Sequence, residues 1–492
     1  MNLAGWIARH AAFAPGKTAI RFGAQDISYG AFARRTGRAA AGLAALGVGR
    51  GDAVAYLGLN HPEMLAMLFA CARLGAMLAP LNWRLAVPEH ERMIAACPPR
   101  VLVVEPAFAE HVRSIRSGLE RTLIVALEES PWKNAAASPP QEGAEDSPVL
   151  LCHTSGSTGA PKGVVLTQRA LLWNAVNSTH MHDLTSADRV LTTLPLFHVG
   201  GLNILTTPAL HAGASVVLHA RFDAQAALEA IERERITLAV LVPAQLSAMM
   251  ESARWASADL SSLRMITTGS TIVPEAFVRK VNARGVPLVQ VYGATETCPI
   301  ATYVRAEDAE RKAGSAGVPA LHCEVKVVDD AGDELAAGRD GEILVRGPNV
   351  AAQYWNDAHE TAQALRDGWY RSGDIGHFDE EGHLYVVSRK KDMIISGGEN
   401  IYPAELENIL AECPTIEEAC VVGRADGRWG EAVVAAVVLK PGACMCEADV
   451  LALFQGRIAR YKQPREVRFL AALPRTELGK LRKEEIRRAV SA

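Results

Sequence analysis

Short β-branched runs alternate with Ala/Leu-rich stretches along most of this chain, and that alternation limits its fold more than any other feature. Val101–Val104 (VLVV), Leu123–Val125, Val216–Leu218, Leu238–Val242 and Met265–Thr267 have the length and composition of buried strands. Ala224–Glu234 and Pro274–Arg284 read as helices. Such an order packs helices against largely parallel sheets, an α/β fold. The 492 residues exceed one ordinary core, and length alone predicts roughly three compact units. From about residue 320 the pattern changes. VKVVDD, GEILVRG and HLYVVSR are short strands joined by Gly/Asp turns, a β-rich subdomain spanning about 320–388. A helix start at Pro403 then opens a last alternation. The expected architecture is a large N-terminal lobe, residues 1–389, of two mixed or parallel α/β sheets plus the subdomain. A small α+β C-terminal domain, residues 390–492, follows.

Other segments narrow the class. Hydrophobic residues make up 49% and charged residues 22%, the balance of a globular protein. A net charge of −4 offers no basic field for nucleic acid. Met64–Leu81 is the most apolar stretch, but Arg73 and Gly75 interrupt it. It reads as a buried helix running into a strand, with Asn60 as N-cap and Glu63 three residues later, so no stable membrane insertion is expected. The start, MNLAGWIARHAAFAPGK, lacks a basic region followed by an apolar run, and no signal peptide is expected. Nine cysteines without a CxxC pair read as reduced thiols in a cytoplasmic protein. Residues 128–148 are polar and rich in Pro, Ala and Ser, a surface connection.

TSGSTGAPKGVVLT, at 154–167, carries the chemistry. Starting from Gly156, a Walker loop would need a second glycine at 161 and Ser or Thr after the lysine; the chain has Pro161 and Gly163. The residue types still suit a phosphate. Gly156 and Gly159 let backbone N–H groups turn inward, Thr154, Ser155, Ser157 and Thr158 add hydroxyls, and Lys162 adds a point charge.

The stretch resembles the signature loop of the adenylate-forming superfamily: acyl-CoA synthetases, adenylation domains of peptide synthetases, and luciferases. LPLFHVGG (194–201), VYGATET (291–297), YRSGDI (370–375), SRKKDMIISGGENIYPAELE (388–407) and PRTELGK (474–480) follow in the family's order. The resemblance implies ATP, Mg²⁺ and CoA as cofactors. It makes Glu296 the Mg²⁺ ligand and Thr295 a donor to the α-phosphate. Magnesium accepts one carboxylate beside phosphate and water. Tyr292, with Gly293 after it, lies against adenine, Gly269-Ser270-Thr271 line the facing wall, and Asp374 accepts from the ribose hydroxyls. Arg389 reaches ribose or phosphate, His198 gates the acyl pocket, and Lys480 bridges the substrate carboxylate and the α-phosphate. The implied C-terminal domain is mobile and turns about Lys391 after adenylate formation, withdrawing Lys480 and bringing in Gly397 and Gly398 to line a pantetheine tunnel. Arg460-Tyr461-Lys462 offers a basic place for the nucleotide end of CoA; a solvated surface fits those residues as well. The chain departs from the family at Gln353, Ser388 and Leu478, none of which removes a charge that the chemistry needs.

The pocket implied by the motifs comprises His198, Gly201, Leu202, Asn203, Thr268, Val291, Pro299 and Ile300, with Gly269 beside them. No Asp stands near His198 to meet an ammonium, and HVGGLNILTTPAL holds no cation for a second carboxylate. The expected substrate is an apolar small-molecule monocarboxylic acid, fatty or aryl, as in feruloyl- and benzoate-type ligases. Asn203 meets a ring substituent or caps a helix. A homodimer is compatible with this reading. An acceptor other than CoA, a P-loop-like hydrolase and a non-catalytic nucleotide-binding protein stand as alternatives.

Overall fold

A computed structural model describes residues 2–115, 117–129, 132, 143–155, 161–270, 273–396, 399–426, 429–455, 457–458, 460, 462–476 and 480–491. Among them, two large sheets form the N-terminal lobe. The seven-stranded sheet is parallel through Met77–Leu81, Ala53–Leu57, Val101–Val104 and Leu123–Ala126, with Pro148–Ser155 beside Met77–Leu81. It ends in the antiparallel hairpin Pro148–Ser155/Pro161–Thr167 and the short strand Gln353–Tyr354. The nine-stranded sheet is parallel from Thr18–Phe22 through Ser215–Leu218, Arg189–Thr192, Leu238–Val240 and Met265–Thr268 to Leu288–Tyr292. Antiparallel strands close both of its edges. The expected strands are there because runs such as VLVV are buried on both faces, which only a covered parallel sheet provides. Leu123–Ala126, however, is not buried as expected: it is the sheet's edge strand, with Leu123 45% and Ile124 54% exposed.

One continuous apolar core joins the two sheets through Leu65–Phe69, Leu78, Leu150, Ala170 and Leu202. Its central helix, Pro62–Leu74, is nearly all buried and does run into the strand Met77–Leu81. Proline at its first turn and Gly75, left-handed at φ 71°, set its ends. Its cap differs from expectation. The His61 ring accepts from the Glu63 N–H at 3.1 Å, whereas Asn60 is 5% exposed and ties three loops together. Asn60 donates to Leu194 and His219 carbonyls and accepts from the Leu196 N–H. A fully employed carboxamide is not spare for capping.

The 128–148 connection is also less superficial than its composition suggests. Most of it lies outside the described residues, but Trp132 is 2% exposed and packs in the main core. A Cβ placed at Gly42 would come within 2.2 Å of the Trp132 Cβ, so glycine is what admits the indole.

Two smaller sheets follow. Glu324–Val328, Gly341–Arg346, Trp369–Phe378, Leu384–Arg389 and Leu365–Arg366 form an antiparallel sheet with its own apolar cluster around Val327, Ile343 and Tyr370. The C-terminal sheet centres on the long hairpin Ile416–Asp426/Gly430–Leu439, packed by helices Pro403–Ala411 and Lys483–Ser491. All nine cysteines are free, and no helix of the described residues is long and apolar enough to cross a membrane.

Candidate active site

Parallel strands leave their carboxyl ends open, and the chemistry-bearing segments gather there. Thr268-Gly269 ends one strand and Val291-Tyr292 the next. Gly269 permits this closeness, since a Cβ there would sit 2.5 Å from the Val291 carbonyl oxygen. Ser270 follows in the left-handed region at φ 72°, a conformation that costs a non-glycine residue about 1–2 kcal/mol.

The 293–300 loop is over-determined. The Thr297 hydroxyl accepts from Ala294 N–H and donates to the Pro299 carbonyl, both at 2.9 Å. Asn349, fully buried, donates to the Thr297 and Ile300 carbonyls at 2.6 and 2.7 Å. This clamp fixes the short helical turn Thr295–Thr297, and with it Glu296. The Glu296 carboxylate is buried, and its Oε1 accepts from the Tyr354 hydroxyl at 2.6 Å. No cluster of three or more His, Cys, Asp or Glu capable of holding a metal occurs among the described residues. A lone, oriented carboxylate fits Mg²⁺ that keeps phosphate and water ligands, not a protein-caged ion.

A second acid lies across the site. Asp374 is 6% exposed. Its Oδ2 accepts from Tyr292 Oη at 2.8 Å, and its Oδ1 meets Arg389 Nε at 3.0 Å. Burial raises its pKa, and the Arg389 and Lys480 charges oppose that rise. Tyr292, Asp374 and Arg389 are thus brought together, as a ribose-and-base site needs.

Lys480 follows the C-terminal sheet in the chain, and its N–H donates to the Thr476 hydroxyl at 3.1 Å. Its surface is exposed, and the Arg389 and Asp374 charges of the N-terminal lobe act on it. Displaced water first, then the Arg389 charge, lower its pKa, with Asp374 opposing. The same ammonium acts on His198. Burial first, then Lys480 and Arg84, hold that imidazole down to about 3, so it is neutral at physiological pH. The His198 Nε2 has no hydrogen-bond partner among the described residues.

Behind His198, residues Leu202–Thr206 form a turn of π-helix, a local widening that recurs at functional sites. Leu202, Asn203 and Ile300 are buried there, as is Val291. Asn203 sits inside that turn rather than at a helix N-terminus. Its amide donates to Cys298 Sγ at 3.4 Å and its oxygen accepts from Thr207 at 3.1 Å. Gly201 is a packing glycine, since its Cβ would strike the Pro195 carbonyl at 2.3 Å. The open position is its neighbour Gly200, whose nearest obstacle is Ile204 Cδ1 at 4.0 Å. Thr268 brings a buried hydroxyl without a partner among the described residues.

In the hairpin Pro148–Ser155/Pro161–Thr167, Thr154 pairs with Lys162 across the strands, and Ser155 ends the first strand. Gly156, Ser157, Thr158, Gly159, Thr271, Gly397 and Gly398 lie outside the described residues. Lys391 falls in a short turn after Arg389. Lys462 is committed to Glu405 at 2.7 Å. Sequence reasoning missed Asn349, Tyr354, Gly200 and Arg84. Tyr354 carried a signal, its place beside the variant Gln353, and so did Gly200, which stands within LPLFHVGG.

The fold and this constellation define an adenylate-forming enzyme. The chain matches AMP-binding enzyme over residues 7–355 and the AMP-binding enzyme C-terminal domain over 405–480. It is 59% identical to an indoleacetate–CoA ligase of Aromatoleum aromaticum over 503 residues, covering 100% of this chain and 98% of that protein. It is 44% identical to a feruloyl-CoA synthase of Amycolatopsis sp, covering 99% of each. ATP-bound MatB from Rhodopseudomonas palustris superposes with a TM-score of 0.92 at 30% identity, covering 99% of each chain; apo MatB gives 0.83 at the same identity and coverage. The chain therefore belongs to the AMP-binding enzyme family. It is an ATP-dependent carboxylic acid–CoA ligase, which uses ATP, Mg²⁺ and CoA, forms an acyl-AMP with release of pyrophosphate, and passes the acyl group to the CoA thiol.

Proposed function

We propose that this ligase activates an aryl-substituted apolar monocarboxylic acid, of the arylacetate or arylpropenoate kind. The observation that carries this reading is the pocket's lining. Its carboxamide, Asn203, bonds Cys298 and Thr207 internally, its other lining residues Leu202, Val291 and Ile300 are apolar, and a Cβ at Gly200 would meet nothing nearer than Ile204 Cδ1 at 4.0 Å. The names of the two relatives support an aromatic acid over a fatty one.

Two anions must meet for the first half-reaction. Lys480 and Lys162 offset their repulsion, Thr295 donates to the α-phosphate, and Glu296 holds the divalent ion, which supplies charge neutralisation on the phosphates. Tyr292, Gly293, Gly269, Ser270 and Thr271 seat the adenine, Asp374 and Arg389 the ribose. Neutral His198 closes the acyl side without bringing another cation to the carboxylate. Residues 1–389 and 390–492 act as separate units, joined at Lys391. The nearness of Lys480 to Asp374, and the better match to ATP-bound than to apo MatB, support a pose suited to adenylation. Thioester formation then draws on Gly397 and Gly398 after rotation. The free thiols and the need for ATP and CoA support a cytoplasmic location.

A panel of acids, scored by CoA-dependent AMP release, tests this. Arylacetates and arylpropenoates give the highest kcat/KM. Preference for an unbranched long-chain fatty acid would overturn the aryl assignment.

A further inference from the structure

Lys162 is engaged before any phosphate arrives. Its ammonium lies 2.5 Å from Glu360 Oε1 and 5.7 Å from the centre of the Tyr354 ring. Both partners belong to one short module. Gln353 and Tyr354 pair with Val165 and Val164 on the strand that carries Lys162. Tyr354 N–H donates to Thr361 Oγ1 at 3.0 Å, and Asp357 caps the helix Ala358–Ala364 by accepting from the Glu360 N–H at 2.9 Å. The same module reaches Glu296 through the Tyr354 hydroxyl. It therefore touches both the cationic and the anionic side chain that face the phosphates in the reading above.

From this juxtaposition we infer that Glu360 is a positioning residue, a resident counter-charge that Lys162 exchanges for polyphosphate and takes back when pyrophosphate leaves. The inference rests on the phosphate role proposed for Lys162. Side-chain exposures of 17% for Lys162 and 27% for Glu360 place the pair in a partly dry cleft. An unpaired ammonium there would bind any phosphate tightly, the product included. A competing carboxylate weakens both, and it matters most for pyrophosphate, which has no adenosine to hold it. The module thereby separates two tasks: Tyr354 fixes Glu296 rigidly, whereas Glu360 holds Lys162 reversibly.

The test is calorimetric titration of the full-length protein with magnesium pyrophosphate and with ATP, without acid or CoA. Glu360→Gln keeps the shape and removes the charge. It tightens pyrophosphate binding about fivefold, the size that a partly exposed ion pair supplies, and lowers KM for ATP while leaving KM for acid and CoA unchanged. Glu360→Asp, charged but shorter, gives a smaller shift in the same direction. In a Lys162→Met background the Glu360→Gln effect disappears, because the charge it releases is no longer there. If Lys162→Met weakens pyrophosphate but Glu360→Gln leaves it unchanged or weaker, the exchange is wrong and the phosphate role of Lys162 stands. If Lys162→Met itself leaves pyrophosphate and ATP binding unchanged, the phosphate role fails and the exchange with it.

Discussion

Asp374→Asn isolates the ribose assignment. The substitution keeps the volume and one acceptor oxygen. Tyr292 Oη, now 2.8 Å from Oδ2, can donate to that remaining oxygen. The pair with Arg389 is lost, but Arg389 is 53% exposed, so solvent screening limits the cost to about 1 kcal/mol or less. Removing a charge from a 6% exposed site returns part of its desolvation. Fold stability therefore changes little. ATP binding changes much more. A carboxylate accepts from both ribose hydroxyls, while an amide accepts from one and presents an N–H₂ group to the other. One hydrogen bond to a charged group is worth about 1.5–3 kcal/mol, so KM for ATP rises about 10- to 150-fold. Steady-state AMP release at varied ATP gives KM, and thermal melting monitors the fold. The acid's KM stays near its original value. If KM for ATP moves by less than about threefold, Asp374 does not hold the ribose.

Lys480→Ala abolishes acid-dependent pyrophosphate exchange but spares thioester formation from supplied acyl-adenylate; equal loss of both would refute the rotation of the C-terminal domain. Its pKa is lowered from the ordinary 10.5, and the ammonium is the working form. The alkaline limb of the exchange reaction therefore falls at lower pH than an unperturbed lysine would give, while thioester formation from acyl-adenylate lacks that limb. Gly200→Leu extends a side chain into the open space beside Ile204; if that space is the acyl pocket, kcat/KM for ring-bearing acids drops at least tenfold and short aliphatic acids lose less, as the acid panel would record. Trp132→Ala empties a tightly fitted site in the main core and costs about 3–5 kcal/mol in denaturant unfolding, with the ATP site unchanged.

Much of this organisation was legible in the sequence because backbone need and side-chain type agree there. VLVV has nowhere stable to go except between covered faces, and Ala224–Glu234 starts after Asp223, which caps it. The grouping of Tyr292, Asp374 and Arg389 was available only through motif resemblance, since 82 residues separate the first two. What stayed hidden depends on competition for hydrogen bonds. Asn60 looks like a cap until two distant loops are seen to use its carboxamide, and the internal bonds of Asn203 to Cys298 and Thr207 come from residues 95 positions and 4 positions away. Trp132 was misplaced because the composition around it is polar, while a single indole and a glycine 90 positions earlier decide its burial.

Ile20 pairs with Val216, so the first hairpin of the chain completes a sheet whose other members come much later. During synthesis on the ribosome, residues 18–28 must wait, their edges uncovered, until the strand Ser215–Leu218 has left the exit tunnel. An N-terminal fragment ending before that strand is left with an unsatisfied edge, and dividing this lobe between two polypeptides would favour aggregation over assembly.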